Sequence, residues 1–314
     1  MKYILRLSGE HPTLPKAELK AVLDGESLGY AIKEYGRILV LDVDSDDNSF
    51  LKRLAYTLSA AEFLGSSPTP SGLSGLVFDR ISGAETFRVT GPDSVQQKLG
   101  GLLHGMGLRV DLKRPAANVF VFELEGTFAA GLEISVPRDY ESRRPQYRPY
   151  FHPTSMHPKL ARALVNLARV DEGDVVLDPF CGTGGVLIEA GLMGLGVIGW
   201  DVDPRMVEGC GQNLRKYGIS GDLSVNSALE GSAGVDAIVT DPPYGRSSYA
   251  SEDTQVLYGK FLENARTMLD VGSFMSIMLP DINEIVCNGF RMVENFDVRI
   301  HKSLTRRVWV LEAI

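Results

Sequence analysis

KYILRL is a short, mainly apolar run, and apolar positions recur at three- and four-residue spacing in LPKAELKAVLDG, which predicts a strand followed by a helix ended by Gly25. YAIKEYGRILVLDV predicts a strand pair turning near Gly36, and FLKRLAYTLSAAEFLG a second helix ended by Gly65. This β-α-β-β-α order suits a ferredoxin-like unit over residues 1–65. The Ser/Pro/Gly-rich stretch GSSPTPSGLSG then reads as a connector. Beyond it, TFRVTG predicts a strand. PDSVQQKLGGLLHGMG predicts a helix with Asp93 and Gln96 at capping-box spacing and Gly105 or Gly107 as its stop. LRVDLKRP, NVFVFELEG and TFAAGLEISVP are three further strand-like runs, giving a second α+β unit over 66–140.

From PKLARALVNLARV onward the pattern changes. Helical segments alternate with short apolar, β-branched runs: DVVLDPF, VIGWDV, LSVNSA, VDAIVTDPP, SFMSIMLP, NFDVRIHKS and RRVWVLEAI. Alternation of this kind predicts an α/β, doubly wound, mostly parallel Rossmann-like sheet over 158–314. Between the halves, RDYESRRPQYRPYFHPTSMHP holds four prolines and resists both helix and strand. Residues 141–157 are therefore a basic, Pro-rich linker.

Charge sharpens that picture. The chain of 314 residues has a net charge of −8, divided as −1 over residues 1–150 and −7 over 151–314. A broadly basic nucleic-acid binder is excluded, yet Arg138, Arg143, Arg144, Arg148, Lys159 and Arg162 face only Asp139 and Glu141 between 137 and 162. Arginines interleaved with aromatics suit contacts to phosphates and bases, so Arg143, Arg144 and Arg148 are candidate RNA-binding residues. Cys181, Cys210 and Cys287 are far apart in sequence, and His152 and His157 have no cysteine nearby, so neither a disulfide framework nor a metal site is expected. No run reaches the roughly 20 apolar residues of a membrane span, and the start has no signal-peptide pattern, so a cytoplasmic protein without membrane contact is expected.

The first strand of the α/β half runs into DPFCGTGG, a glycine-rich turn where such sheets bind nucleotide-like ligands. Gly182 and Gly184 allow close backbone approach, but Leu187 stands where a dinucleotide fingerprint needs its third small residue. Asp178 would repel a diphosphate and attract a cationic ligand, which favours S-adenosyl-L-methionine over a nicotinamide dinucleotide. The candidate cofactor residues are Asp178, Pro179, Phe180, Cys181, Gly182, Thr183 and Gly184. At the next strand end, Asp201 with Val202 is placed for ribose hydroxyls, while Asp203 caps the helix opened by Pro204.

TDPPYG ends a later strand at the same sheet edge. The lone pair of an exocyclic base amine is delocalised into the ring and attacks poorly. A carboxylate and a fixed carbonyl that accept both amine hydrogens would aim that lone pair at a methyl group. Asp241 supplies the carboxylate, Pro242 and Pro243 fix the carbonyl, and Tyr244 offers a flat face to a flipped base. The work is positioning and electrostatics, and Cys181 in the cofactor loop is not read as a nucleophile. Arg246 suits a contact to the target phosphate and equally an exposed surface position.

Together, DPFCGTGG, TDPPYGRS and RRPQYRPYFHPTSMHPKLARALVNLA resemble the THUMP-domain tRNA guanine-N2 methyltransferases of archaea and eukaryotes, which act on the D-stem guanosine numbered ten. VTGPDSVQQKLGGLLHGMGLRVDLKRPAANVFVFEL resembles a THUMP domain, so the likeness covers essentially the whole chain. It implies transfer of one or two methyl groups from S-adenosylmethionine to guanine N2, with the THUMP region holding tRNA. It also implies that Thr154, Ser155 or His157 lies near the cofactor's methionine end, although Ser155 equally suits capping the helix at Pro158. Where the family shows Gly-Asp-Ala, this chain reads Asn-Ser-Ala, so Ser227 with Ala228 occupies the adenine-binding position and modest cofactor affinity is expected. A DNA adenine or cytosine amino-methyltransferase would share the DPPY chemistry but not the front half. An inactive tRNA-binding protein is the alternative of another class. Product methylation state, oligomeric state and any small activating subunit are not written in these residues.

Overall fold

The computed structural model describes residues 1–137, 139–153, 155–243, 252–280, 288–301 and 304–314. They divide into two units: residues 1–10, 28–52 and 56–136 form one, and residues 11–27, 53–55 and 137–314 the other. The helix α1 (Leu14–Gly25) thus belongs with the second unit although it lies near the chain start.

The first unit is built on a seven-stranded sheet of β1 (Lys2–Leu7), β2 (Tyr30–Tyr35), β3 (Ile38–Val43), β4 (Thr57–Ser67), β5 (Phe87–Thr90), β6 (Ala117–Leu124) and β7 (Thr127–Ile134), in the order β2-β3-β1-β4-β7-β6-β5. All pairings are antiparallel except β5 with β6. Alternation along β6 divides its side chains. Val119 and Val121 pack with α2 (Ser74–Ile81) and α3 (Asp93–Gly105), while Phe120, Phe122 and Leu124 pack with Ile4 and Ala61.

The helix predicted across 50–65 does not form. After a short 3-10 turn at Ser49–Lys52 the chain becomes β4, a central strand between β1 and β7. Ala60 and Ala61 are good helix formers, but both are fully buried in the sheet, and a Cβ on the facing Gly131 would lie 2.6 Å from that of Ala61. Small residues are here for close packing, and tertiary context overrides propensity. The expected connector at 65–75 carries the end of β4, a 3-10 turn at Pro70–Leu73 and the start of α2. LRVDLKRP is not a strand beyond a single bridge from Val110 to Phe87. The Asp111 carboxylate accepts the amides of Lys113 (2.8 Å) and Arg114 (3.0 Å) and turns the chain instead. The expected capping box is also absent: α3 starts at Asp93 itself, and the Gln96 amide donates to the Gly91 carbonyl.

The second unit holds the doubly wound sheet. After α4 (Pro158–Leu167), β8 (Val175–Asp178), α5 (Gly185–Gly191), β9 (Gly196–Asp201), α6 (Pro204–Lys216), β10 (Asp222–Val225), β11 (Val235–Thr240), α7 (Glu252–Met268), β12 (Leu269–Pro280), β13 (Phe290–His301) and β14 (Leu304–Ala313) follow. Their order is β10-β9-β8-β11-β12-β14-β13, parallel from β10 to β12, with β14 antiparallel to both its neighbours. The order reverses between β8 and β11, which is where ligands bind in open α/β sheets. Phe261, Met275, Ile277 and Leu311 form part of the core beneath that edge. No helix among the described residues is long and apolar enough to cross a membrane.

Candidate active site

A cavity of about 900 Å³ opens at the carboxyl edge of β8, β9 and β11. It is lined by Asp178, Pro179, Phe180, Cys181, Gly182, Thr183, Asp201, Val202, Ser227, Ala228, Asp241, Pro242, Pro243 and Ser155, all expected site residues. Thr154, Tyr244 and Arg246 lie outside the described residues.

The glycine loop owes its shape to backbone that other residues rarely adopt. Gly182 and Gly184 have φ of +49° and +81°, and a Cβ at Gly184 would stand 2.6 Å from Cys210 Sγ, inside α6. Gly184 therefore shapes the loop and is not among the residues lining the cavity. Phe180 is seated edge-on against Phe261, with centroids 5.2 Å apart. The Gly182 amide donates to Asp201 Oδ2 (3.0 Å) and the Asp203 amide to Oδ1 (2.9 Å), which aims the Asp201 carboxylate along the edge. Asp203 caps α6 by accepting from the Arg205 amide at 2.9 Å.

Asp178 is 3% exposed and accepts from the Thr240 hydroxyl (2.6 Å) and the Phe180 amide (3.2 Å). Burial pushes its carboxyl up to about 7, against those two bonds and aided by the charges of Asp241 and Asp201. Its bonded partners here are neutral. Asp241 is partly buried, and its carboxyl lies above the usual carboxylate range because desolvation outweighs the opposing charge and hydrogen bonds of Arg306. Arg306 Nη1 donates to Asp241 Oδ2 at 2.8 Å and Nη2 donates to Oδ1. The Pro243 carbonyl accepts from the Tyr258 hydroxyl of α7 at 3.3 Å. Hydrogen bonding to Cys210 and burial both push the Cys181 thiol up, which disfavours the thiolate a nucleophile needs.

These residues fit S-adenosylmethionine. A buried acid whose hydrogen-bond partners among the described residues are neutral matches a ligand carrying an ammonium and a sulfonium, an aimed Asp201 matches ribose hydroxyls, and Val202, Ala228 and Leu229 give apolar walls for a purine. At Ser227 the hydroxyl accepts from the Leu229 amide at 3.2 Å, so its oxygen is committed to its own loop.

The linker residues sort differently from expectation. Ser155 does not cap α4. Its hydroxyl bonds Thr183 Oγ1 at 2.8 Å and donates to the His152 carbonyl at 2.9 Å, so it fastens the approach segment to the cofactor loop. His157 is the cap, with Nδ1 accepting from the Lys159 amide at 3.2 Å, and it is not among the residues lining the cavity. Arg143 turns inward to fully buried Glu189 of α5, with bonds of 2.7 and 3.0 Å, and Arg162 meets the same carboxylate at 3.2 Å. Arg148 is 5% exposed. A buried carboxylate requires nearby cations, which holds Arg143 inward, and Arg148 is buried with its Nε donating to the Arg143 carbonyl at 3.1 Å, so neither guanidinium group faces an outside phosphate. Arg144 stays half-exposed, paired with Glu141 at 2.9 Å.

Several residues of the site escaped the sequence reading. His152, Met156, Gly185, Val186, Met206, Leu257 and Leu304 also line the cavity. Asn213, fully buried in α6, donates to the carbonyls of Thr183 and Tyr150 and accepts from the Tyr150 amide, each at 2.9 Å. An asparagine on the inner face of an amphipathic helix was the available signal for it.

Comparison with known proteins places this geometry. Residues 145–304 match the family described as RMKL-like, methyltransferase domain. A tRNA (guanine(10)-N2)-dimethyltransferase of Methanothermobacter thermautotrophicus is 38% identical over all of both chains, and one of Pyrococcus abyssi 32% identical over 99% of each. The chain belongs to the tRNA (guanine(10)-N2)-dimethyltransferase family. A yeast tRNA (guanine(10)-N(2))-methyltransferase is 26% identical over 78% of this chain and 68% of its own. Among solved structures, TrmN from Thermus thermophilus has the same fold, with a TM-score of 0.57 at 22% identity over the whole of both chains. Membership of this family makes the protein an S-adenosylmethionine-dependent methyltransferase.

Proposed function

We propose that the protein methylates the exocyclic N2 amine of guanosine ten in tRNA, and that its product is the dimethylated base, as the names of its full-length archaeal relatives favour. The observation that carries this is the single cavity joining the glycine loop of β8 to Asp241, Pro242 and Pro243 at the end of β11. S-adenosylmethionine supplies the methyl group, with its sulfur as leaving group. Asp178 holds the cationic end of the donor, Asp201 its ribose hydroxyls, and the Ser227 to Leu229 turn its adenine. Asp241 and the Pro242 carbonyl accept the two amine hydrogens of the flipped guanine, and the lone pair is directed at the methyl carbon. The methyl group would pass to the amine nitrogen with the donor's sulfur keeping the electron pair of the broken bond, and the surplus amine proton would pass to water, while Asp241 and Pro242 orient the amine.

The first unit, with its THUMP-like segment at 66–140, holds the tRNA, and the reaction takes place in the cytoplasm. Incubation with radiolabelled S-adenosylmethionine and unmodified tRNA transcripts, followed by nucleoside digestion, tests the reading. Label in N2,N2-dimethylguanosine is expected. Label confined to an adenosine or cytidine would overturn the base assignment, and label stopping at the monomethyl form would overturn the product.

A further inference from the structure

Arg306 belongs to none of the motifs, yet it is 3% exposed. It stands near the start of β14, opposite Pro280 at the carboxyl end of β12. Because β14 runs antiparallel to β12, its first residues arrive at the sheet edge where β11 delivers Asp241. The guanidinium meets the two carboxylate oxygens of Asp241 with two nitrogens, and Nη2 donates further to the Met278 carbonyl at 3.0 Å. A planar fork of this kind fixes a carboxylate in direction as well as in charge.

An ionised carboxylate has about four acceptor sites, of which the fork occupies two, leaving others for amine hydrogens. A protonated carboxyl would instead present a donor to a donor. Among the described residues, the ionisable groups around Asp241 are Arg306 from β14, Asp178 from β8 and, beside Pro243, Tyr258 from α7. Of these, Arg306 alone carries a positive charge.

We propose that Arg306 is a positioning residue for methyl transfer: it keeps Asp241 ionised inside a buried site and turns the remaining acceptor sites of the carboxylate toward the amine of the target base. The proposal rests on the methyltransferase function above. It also assigns Asp241 the work of an acceptor and not of a base, because the guanidinium fork on both its oxygens would have to loosen before the carboxylate took up the surplus proton.

The test uses the full chain with Arg306→Gln and Arg306→Lys, measuring methylation of an unmodified tRNA transcript from pH 6 to 9 and S-adenosylmethionine binding by calorimetry. For Arg306→Gln, kcat at pH 7 is expected to fall about 100-fold and to recover partly with rising pH, as the acidic limb of the rate profile moves up by about one unit or more. Cofactor Kd should stay within about threefold of wild type, since Arg306 is not placed against the cofactor. Arg306→Lys keeps the charge without the fork, so its limb should stay in place while kcat falls about tenfold and KM holds. An Arg306→Gln enzyme with wild-type kcat, or one slowed equally at every pH, would overturn the proposal. Should the Gln variant fail to fold, wild-type kcat in the Lys variant would overturn it alone. Labelling of tRNA by the wild-type chain is the control: its failure would count against the function, not against Arg306.

Discussion

Asp178 and Asp241 stand at the ends of neighbouring strands of one sheet, the first buried and the second partly so, and both line the same cavity. Asp178 receives a hydroxyl and an amide, and burial leaves its carboxyl poised at about 7. Asp241 receives a guanidinium that occupies both oxygens. The difference follows from what each acid is to meet. A cofactor brings its own positive charge, so an acid without an ion-pair partner gains most from pairing with it. A neutral guanine amine brings none, so the acid that accepts its hydrogens must be ionised by the protein beforehand. Thr240, which donates to Asp178 and precedes Asp241 in the chain, ties the two ends together.

The largest break in this contrast comes from removing the charge that Arg306 serves. Asp241→Asn is expected to lower kcat by on the order of 10²–10³-fold, because an amide turns one acceptor into a donor facing the amine. The same change takes one charged partner from a buried guanidinium, at an expected loss of roughly 1–3 kcal/mol in stability. Cofactor affinity should survive. Rate, melting and calorimetry on one preparation check all three, and a variant that bound cofactor no longer would place Asp241 in the donor site.

Asp178 sharpens the contrast through pH. Its folded pKa lies above the ordinary carboxylate value, so the free protein prefers the neutral acid, and that contribution to stability declines as pH rises from about 4 toward 7. A cationic ligand pairs with the ionised form, so its affinity runs the other way, rising up to about 7 and level above. Below that point the Kd for S-adenosylmethionine should weaken by as much as about tenfold per pH unit. Asp178→Asn should bind more weakly and flatten the profile. Calorimetry between pH 5.5 and 8.5 reads both, and a flat wild-type profile would remove Asp178 from the cationic end of the donor.

The same two acids show what the sequence could tell. Asp178 and Asp241 are legible because each sits in a contiguous motif at a strand end, where chain order and sheet position coincide. Arg306 is 65 residues from Asp241 and reaches it only because β14 enters between β12 and β13 in reverse. No local pattern announces an antiparallel insertion. Asn213 was hidden likewise, since its partners Tyr150 and Thr183 come from two other segments. Arg143 turned inward for the opposite reason: a local run of positive charge looked like a surface, while Glu189, which Arg143 meets, lies 46 residues on in α5. In the first unit, β4 was misread because alanines demanded by tight sheet packing have the composition of a helix.

The smallest expected effect concerns the third strand end, β10, where Ser227 stands in the position that the family resemblance gives to an aspartate. The Ser227 hydroxyl oxygen accepts from the Leu229 amide, and Ala228 and Leu229 supply an apolar wall. On the proposed reading, adenine would be held by contact area and neutral groups, since no acid among the described residues takes the place of Ser227. Ser227→Asp would offer the adenine amine a charged acceptor, and charge-assisted bonds are about twice as strong as neutral ones. Two effects oppose the gain: the new charge is partly desolvated, and it joins two carboxylates already at this edge. The net expectation is a Kd for S-adenosylmethionine tighter by about threefold to tenfold, on the order of 1 kcal/mol, with kcat unchanged because the base-binding end is untouched. Weaker binding in the variant would mean that repulsion among the acids at this edge outweighs the new bond, and that serine is the better residue for a site already holding two.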